Sequence, residues 1–166
     1  MGNTMKHRIV AAAAALALTT VVIVTATAAH AGAAQEFIVT ERETNFELIP
    51  VSGPPTTEPT APPTLGDRFL IRDDLLRGTT KVGFDNVICT VTFNDNLQCE
   101  AYFSFTGKGD IHASALLRGG AGEMSPDVFD AVIDGGTFAY ANARGMIHVS
   151  NVPNSDTDTT LVFLVH

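Results

Sequence analysis

The sequence predicts an all-β fold, a closed antiparallel barrel of eight strands, and two observations carry that expectation. Segments rich in β-branched and aromatic residues recur along the chain, parted by short clusters of Gly, Asn, Asp, Ser and Pro. In three successive segments apolar and polar residues alternate with period two, as in a strand with one hidden face. Short links between so many strands favour closure over an open sheet, because closure leaves no unpaired edge.

Taken in order, the chain begins with a basic start at Lys6, His7 and Arg8 and an apolar run from Ile9 to Val24. Ala29-His30-Ala31 then offers small residues at the two positions a signal peptidase reads. Residues 1–31 are expected to be a secretory signal peptide cleaved after Ala31, which would make the protein secreted and extracellular. A retained membrane anchor is the alternative. Residues 32–166 are enough for one domain with a core and too few for two.

The expected strands are Glu36–Ile49, Asp67–Leu75, Val82–Phe93, Leu97–Thr106, Asp110–Leu117, Val128–Asp134, Met146–Val152 and Thr159–Val165. The stretches RGTT, NDN, GKG, GGAGEMSP and PNSDTD separate most of them, each rich in turn-forming residues. Ser52 to Thr64 (SGPPTTEPTAPPT) carries five prolines and reads as an extended surface loop.

Alternation assigns the faces. One side carries Val87, Cys89, Val91 and Phe93, then Leu97, Cys99, Ala101, Phe103 and Phe105, then Ile111, Ala113, Ala115 and Leu117. The other side carries Thr90, Thr92, Gln98, Glu100, Ser104, His112 and Ser114, with Ile88, Tyr102 and Leu116 among them. The apolar side is expected to line the barrel interior. Cys89 and Cys99, an exported pair on that side, are expected to form a disulfide.

Charge narrows the partners. Cleavage would remove Lys6 and Arg8 and no acid, leaving 8 basic against 18 acidic side chains. That balance argues against nucleic acid and against anionic membrane surfaces, both of which reward Lys and Arg. No GxSxG nucleophile elbow and no glycine-rich phosphate loop is present, so no cofactor is expected. His112 and His148 read as solvated histidines rather than metal ligands, because a site needs at least three converging donors.

One stretch points to a family. Ala131-Val132-Ile133-Asp134-Gly135-Gly136-Thr137, followed by Arg144-Gly145, resembles the "AVxGGTG…ARG" corner of the allene oxide cyclase and dirigent barrel superfamily. Leu65-Gly66-Asp67 leading to Asp74-Leu75, Gly83 with Cys89, and Glu100 to Phe105 resemble that superfamily's second, third and fourth strands. The likeness runs from about Ile38 to Val152 and is closer to allene oxide cyclases than to plant dirigent proteins. The glycine corner itself reads as structural, closing one barrel end.

What the resemblance implies is a secreted cyclase or isomerase acting on an apolar small molecule held in the barrel. Position by position, the family's catalytic glutamate matches Glu41 and its water-holding asparagine matches Asp73. Wall residues match Phe69 and Ile71, the pocket cysteine matches Cys89, and a pocket tyrosine falls on Asp130. Phe103 and Phe105 would also shape the cavity. Asp73 in place of an amide would oppose a developing oxyanion unless its carboxyl stays protonated. Glu41, Asp73 and Asp130 would then form an interior acidic cluster, or one or more would point outward or pair with Arg42, Arg68 or Arg72. Two other functions remain open: a lipocalin-like carrier without turnover, and a dirigent-like homo-oligomer, dimer or trimer, using Ile88, Tyr102 and Leu116 as an interface.

Overall fold

β-Branched and aromatic runs form eight strands, each within two residues of its expected bounds: β1 (Gln35–Ile49), β2 (Arg68–Arg77), β3 (Thr80–Val91), β4 (Leu97–Phe105), β5 (Gly109–Leu117), β6 (Val128–Gly136), β7 (Gly145–Asn151) and β8 (Asp158–Val165). The structure, a computed structural model, describes residues 34–58, 61–119, 128–155 and 157–166. The expected leader and its cleavage site lie outside the described residues. Each strand runs antiparallel to its neighbour in chain order, and β8 returns to pair with β1 from Gln35↔Val165 to Arg42↔Asp158. The barrel is therefore closed, with β5 and β6 joined from Ile111↔Gly136 to Ser114↔Val132.

Two local departures set which side chains face inward. In β1 the register slips between Glu43 and Asn45. This bulge moves the inner face from the odd positions Val39 and Glu41 to the even positions Phe46 and Leu48. In β3 the strand stops at Val91, and Phe93 lies in a tight 3-10 turn whose Asn94 and Asp95 have φ of 60° and 55°. Phe93 is 76% exposed and so does not continue the inner face, contrary to the alternation expected of it.

The interior is filled unevenly. At one end Phe37 stacks on Phe163 at 4.7 Å, Phe103 and Phe105 meet Phe163 edge-on, and Tyr140 packs against Phe105 at 5.5 Å. Tyr140 comes from the GGTFAYANARG corner, which plugs this end with a 3-10 turn at Phe138–Tyr140. A Cβ on Gly136 would lie 2.5 Å from the carbonyl oxygens of Asp110 and Tyr140, so the turn can press this close only without a side chain. Gly145 has φ +137°, and a Cβ there would meet the Leu164 carbonyl. Arg144 donates from Nη1 to the Ala143 carbonyl at 2.7 Å, a structural role within the corner.

The other end carries the long connections. The proline-rich loop is tied at both ends. Leu48 and Thr56 form an isolated antiparallel bridge, and the buried Asp67 carboxylate accepts from the backbone N–H groups of Val51 and Thr64, both at 2.7 Å. The β-strand ends near this mouth hold a second apolar cluster of Leu48, Phe69, Val91, Leu97, Leu117 and the two cysteines. Cys89 and Cys99 stand directly opposite each other on β3 and β4 and form the disulfide. No helix among the described residues is long and apolar enough to cross a membrane.

Candidate functional site

Between the plug and the mouth lies a cavity of about 480 Å³. It exists because one wall is built from small residues: Ala101 faces Ala113 across β4 and β5, and Ala115 faces Cys99. Four phenylalanines, Phe46, Phe69, Phe103 and Phe129, close much of the remainder with Ile71, Val87, Ile147, Val149 and Leu161. A cavity of this size accommodates a drug-sized ligand, for which roughly 300 Å³ or more is needed.

Acids stand on the wall opposite the alanines. Glu41 on β1 and Asp73 on β2 line the cavity, and Asp85 on β3 is Asp73's register partner. Asp85 is 0% exposed and sits behind the other two rather than on the cavity surface. Its Oδ1 accepts the Asp73 backbone N–H at 3.2 Å. One carboxyl oxygen from each of Glu41, Asp73 and Asp85 lies within 4.8 Å of the other two. Among the described residues no Lys or Arg forms an ion pair with them; Arg42 is committed to Asp158 at 2.9 Å and Lys81 to Asp74.

Such crowding in an apolar shell must be relieved by protons. Burial, then the neighbouring Asp85 charge, raises Glu41 well above the ordinary carboxylate range. Burial, then Asp85 and Glu43, pushes Asp73 up to about 8. Asp85 is raised by burial to about 6, held from going higher by hydrogen bonds from the Glu41 and Asp73 carboxyls and the Asp73 backbone N–H, and by the Arg72 charge. Burial thus favours the protonated forms of Glu41 and Asp73, with Asp85 the neighbour that accepts. Once the protons leave, the same three oxygen donors are close enough for one divalent cation to bridge.

The structure brings together only part of the expected site. Glu41, Asp73, Phe69, Ile71, Cys89 and Phe103 all border the cavity. Phe105 does not; it lies one layer deeper, inside the aromatic plug with Phe37, Tyr140 and Phe163. Asp130 is on the outer surface, paired with His148 at 2.8 Å, and its neighbour Phe129 takes the wall position. The reason is phase: Ala131 and Ile133 are buried, so the odd positions of β6 face inward and Asp130 cannot. The acidic trio is therefore completed by Asp85, which the alternation of β3 contains two positions before Val87. His112, half-buried on the outer face, stacks on Tyr102 at 4.5 Å, and its Nε2 has no hydrogen-bond partner.

Fold and site together define a class: a closed eight-stranded barrel with one plugged end, one open end and acids at the base of an interior cavity. No family model matches the chain, and no curated protein matches it. Among solved structures it is similar to a pyocyanin demethylase, with 24% identity, a TM-score of 0.58, and coverage of 78% of this chain and 100% of the other. It is also similar to a pterocarpan synthase dirigent protein, with 19% identity, a TM-score of 0.52, and coverage of 80% of this chain and 88% of the other. The likeness is one of fold, a dirigent-like barrel, as the GGT…ARG corner implied.

Proposed function

We propose that this protein holds an apolar small molecule in its barrel and rearranges it intramolecularly, as a cyclase or isomerase. The observation that carries this reading is the pair of carboxyls, Glu41 and Asp73, raised above the ordinary carboxylate range at the edge of a cavity largely walled by apolar side chains. A carboxylic acid that keeps its proton near neutral pH can donate to an epoxide or carbonyl oxygen as negative charge develops there. The proton given to oxygen is balanced by one lost from carbon later in the same molecule, so the reaction needs no co-reactant. Asp85 orients the two acids by accepting from both, which makes it a positioning residue. Confinement by the phenylalanine walls favours the ring-closing or bond-shifting conformer and can itself contribute several kcal/mol.

Of the similar structures, one is a pyocyanin demethylase and another a pterocarpan synthase dirigent protein. Both names support a small-molecule substrate for this barrel. The Cys89–Cys99 disulfide supports the reading of an exported protein, since such bonds persist in oxidising compartments. The test is native mass spectrometry of the secreted protein, followed by incubation of any retained molecule with wild type and with Glu41→Gln. Conversion by wild type and its loss in the variant support the reading. Retention with the same fate in both proteins makes the barrel a carrier, and failure to retain any small molecule or apolar dye refutes occupancy altogether.

A further inference from the structure

The cavity has an unbalanced polarity. Glu41, Glu43, Asp73 and Asp158 border it, and among the described residues no Lys or Arg does. Segments 59–60, 120–127 and 156 contain no Lys or Arg in sequence either. Of the four acids only Asp158 has a cationic partner, Arg42. Asp73 is 6% exposed, borders the cavity, and its Oδ1 has no hydrogen-bond partner. A carboxylate-bearing ligand would meet acids and, among the described residues, no basic side chain lining the cavity. A positively charged nitrogen would be met by oxygens at the base and by the faces of Phe46, Phe69, Phe103 and Phe129, which attract cations through their ring quadrupoles.

We propose that the cavity selects an apolar amine or organic cation, its nitrogen seated against Asp73 and its hydrocarbon body against the phenylalanine walls. The proposal rests on the cavity-binding reading above and names its substrate class. Asp73 is the counter-ion in this arrangement, with Glu41 and Glu43 on β1, Asp74 and Arg72 on β2, and Asp85 on β3 around it.

Three matched probes test this: 2-naphthylmethylamine, 2-naphthylmethanol and 2-naphthoate, titrated into the intact protein by calorimetry. The expected result is amine binding about tenfold or more tighter than the alcohol at pH 7, with naphthoate weakest, as a charge-assisted hydrogen bond implies. In Asp73→Asn the amine should lose its advantage over the alcohol; circular dichroism confirms that the variant folds, and Asp130→Asn, on the outer surface, should retain the preference. Equal or tighter binding of the alcohol or naphthoate overturns the substrate class and leaves cavity binding intact. Binding of none of the three overturns both. A rise in melting temperature with calcium or manganese, in the absence of any amine effect, would overturn the proposal in favour of a metal site.

Discussion

Replacing Asp73 by asparagine should flatten the pH dependence of folding stability, and the structure sets the sign and the scale. In the folded protein the Asp73 carboxyl is raised from 3.8 to about 8. Between those values the folded state binds more protons than the unfolded state, so stability falls as pH rises through that window and is fully present below it. Each unit is worth about 1.4 kcal/mol, so the full shift would correspond to about 6 kcal/mol. Asp73 borders a cavity open at one end, where water screens its charge, so roughly a third to a half of this is expected, about 2–3 kcal/mol. Urea unfolding at pH 4.5 and pH 8 supplies the measurement, with the disulfide kept intact. The variant should match wild type at pH 4.5 and exceed it by about 2 kcal/mol at pH 8. Parallel pH profiles, or a variant less stable than wild type at pH 8, would refute the reasoning that the acids are strained by their own burial.

Further outcomes follow from the same structure. The double change Cys89→Ser and Cys99→Ser should cost about 3 kcal/mol in urea unfolding, the entropy of closing so short a loop. Gly135→Ala should shift stability by less than about 0.5 kcal/mol, because its Cβ would find only Arg144 Nη1 at 3.6 Å. Gly136→Ala should cost about 3 kcal/mol or more, because its Cβ would strike two carbonyl oxygens that cannot move without opening the plug. Phe163→Ala should cost about 3–5 kcal/mol, since that ring is fully buried and touches Phe37, Phe103 and Phe105. Ala113→Phe should leave the circular dichroism spectrum of the barrel in place while abolishing binding of a naphthyl probe, because it fills the small-residue wall of the cavity.

Strand order and bounds were legible because period-two alternation reports directly which face of a strand is hidden, and turn residues mark where it ends. The disulfide was legible for the same reason, both cysteines falling on one face. Phase was less secure at β6. Val128 and Val132 are apolar yet 54% and 58% exposed, so hydrophobicity there does not mark the inside, and Asp130 was assigned to the cavity that Phe129 occupies. Phe105 shows a different limit. Alternation places it inside correctly, but its depth along the barrel depends on strand tilt and stagger, which no single strand encodes. The bulge at Thr44 leaves no mark in composition. Asp85 was available to the alternation argument, since Asp85, Val87, Cys89 and Val91 share one face; a charged residue at the end of an apolar series was simply not followed inward.

Asp85 also bears on why the acids are there at all. A barrel that served only as a scaffold would be more stable with leucine or methionine at this position, since a fully buried carboxyl with an unpartnered Oδ2 costs free energy that apolar packing does not. The neighbouring layer shows that the fold can fill its interior: one step deeper, the rings of Phe37, Phe105 and Phe163 pack against one another. The unfavourable arrangement is confined to the layer that borders the void. Three carboxyls from three adjacent strands converge there, two of them reaching the cavity and the third holding them in place. A strained polar cluster abutting a cavity is the arrangement that the proposed proton transfer to a confined ligand would use.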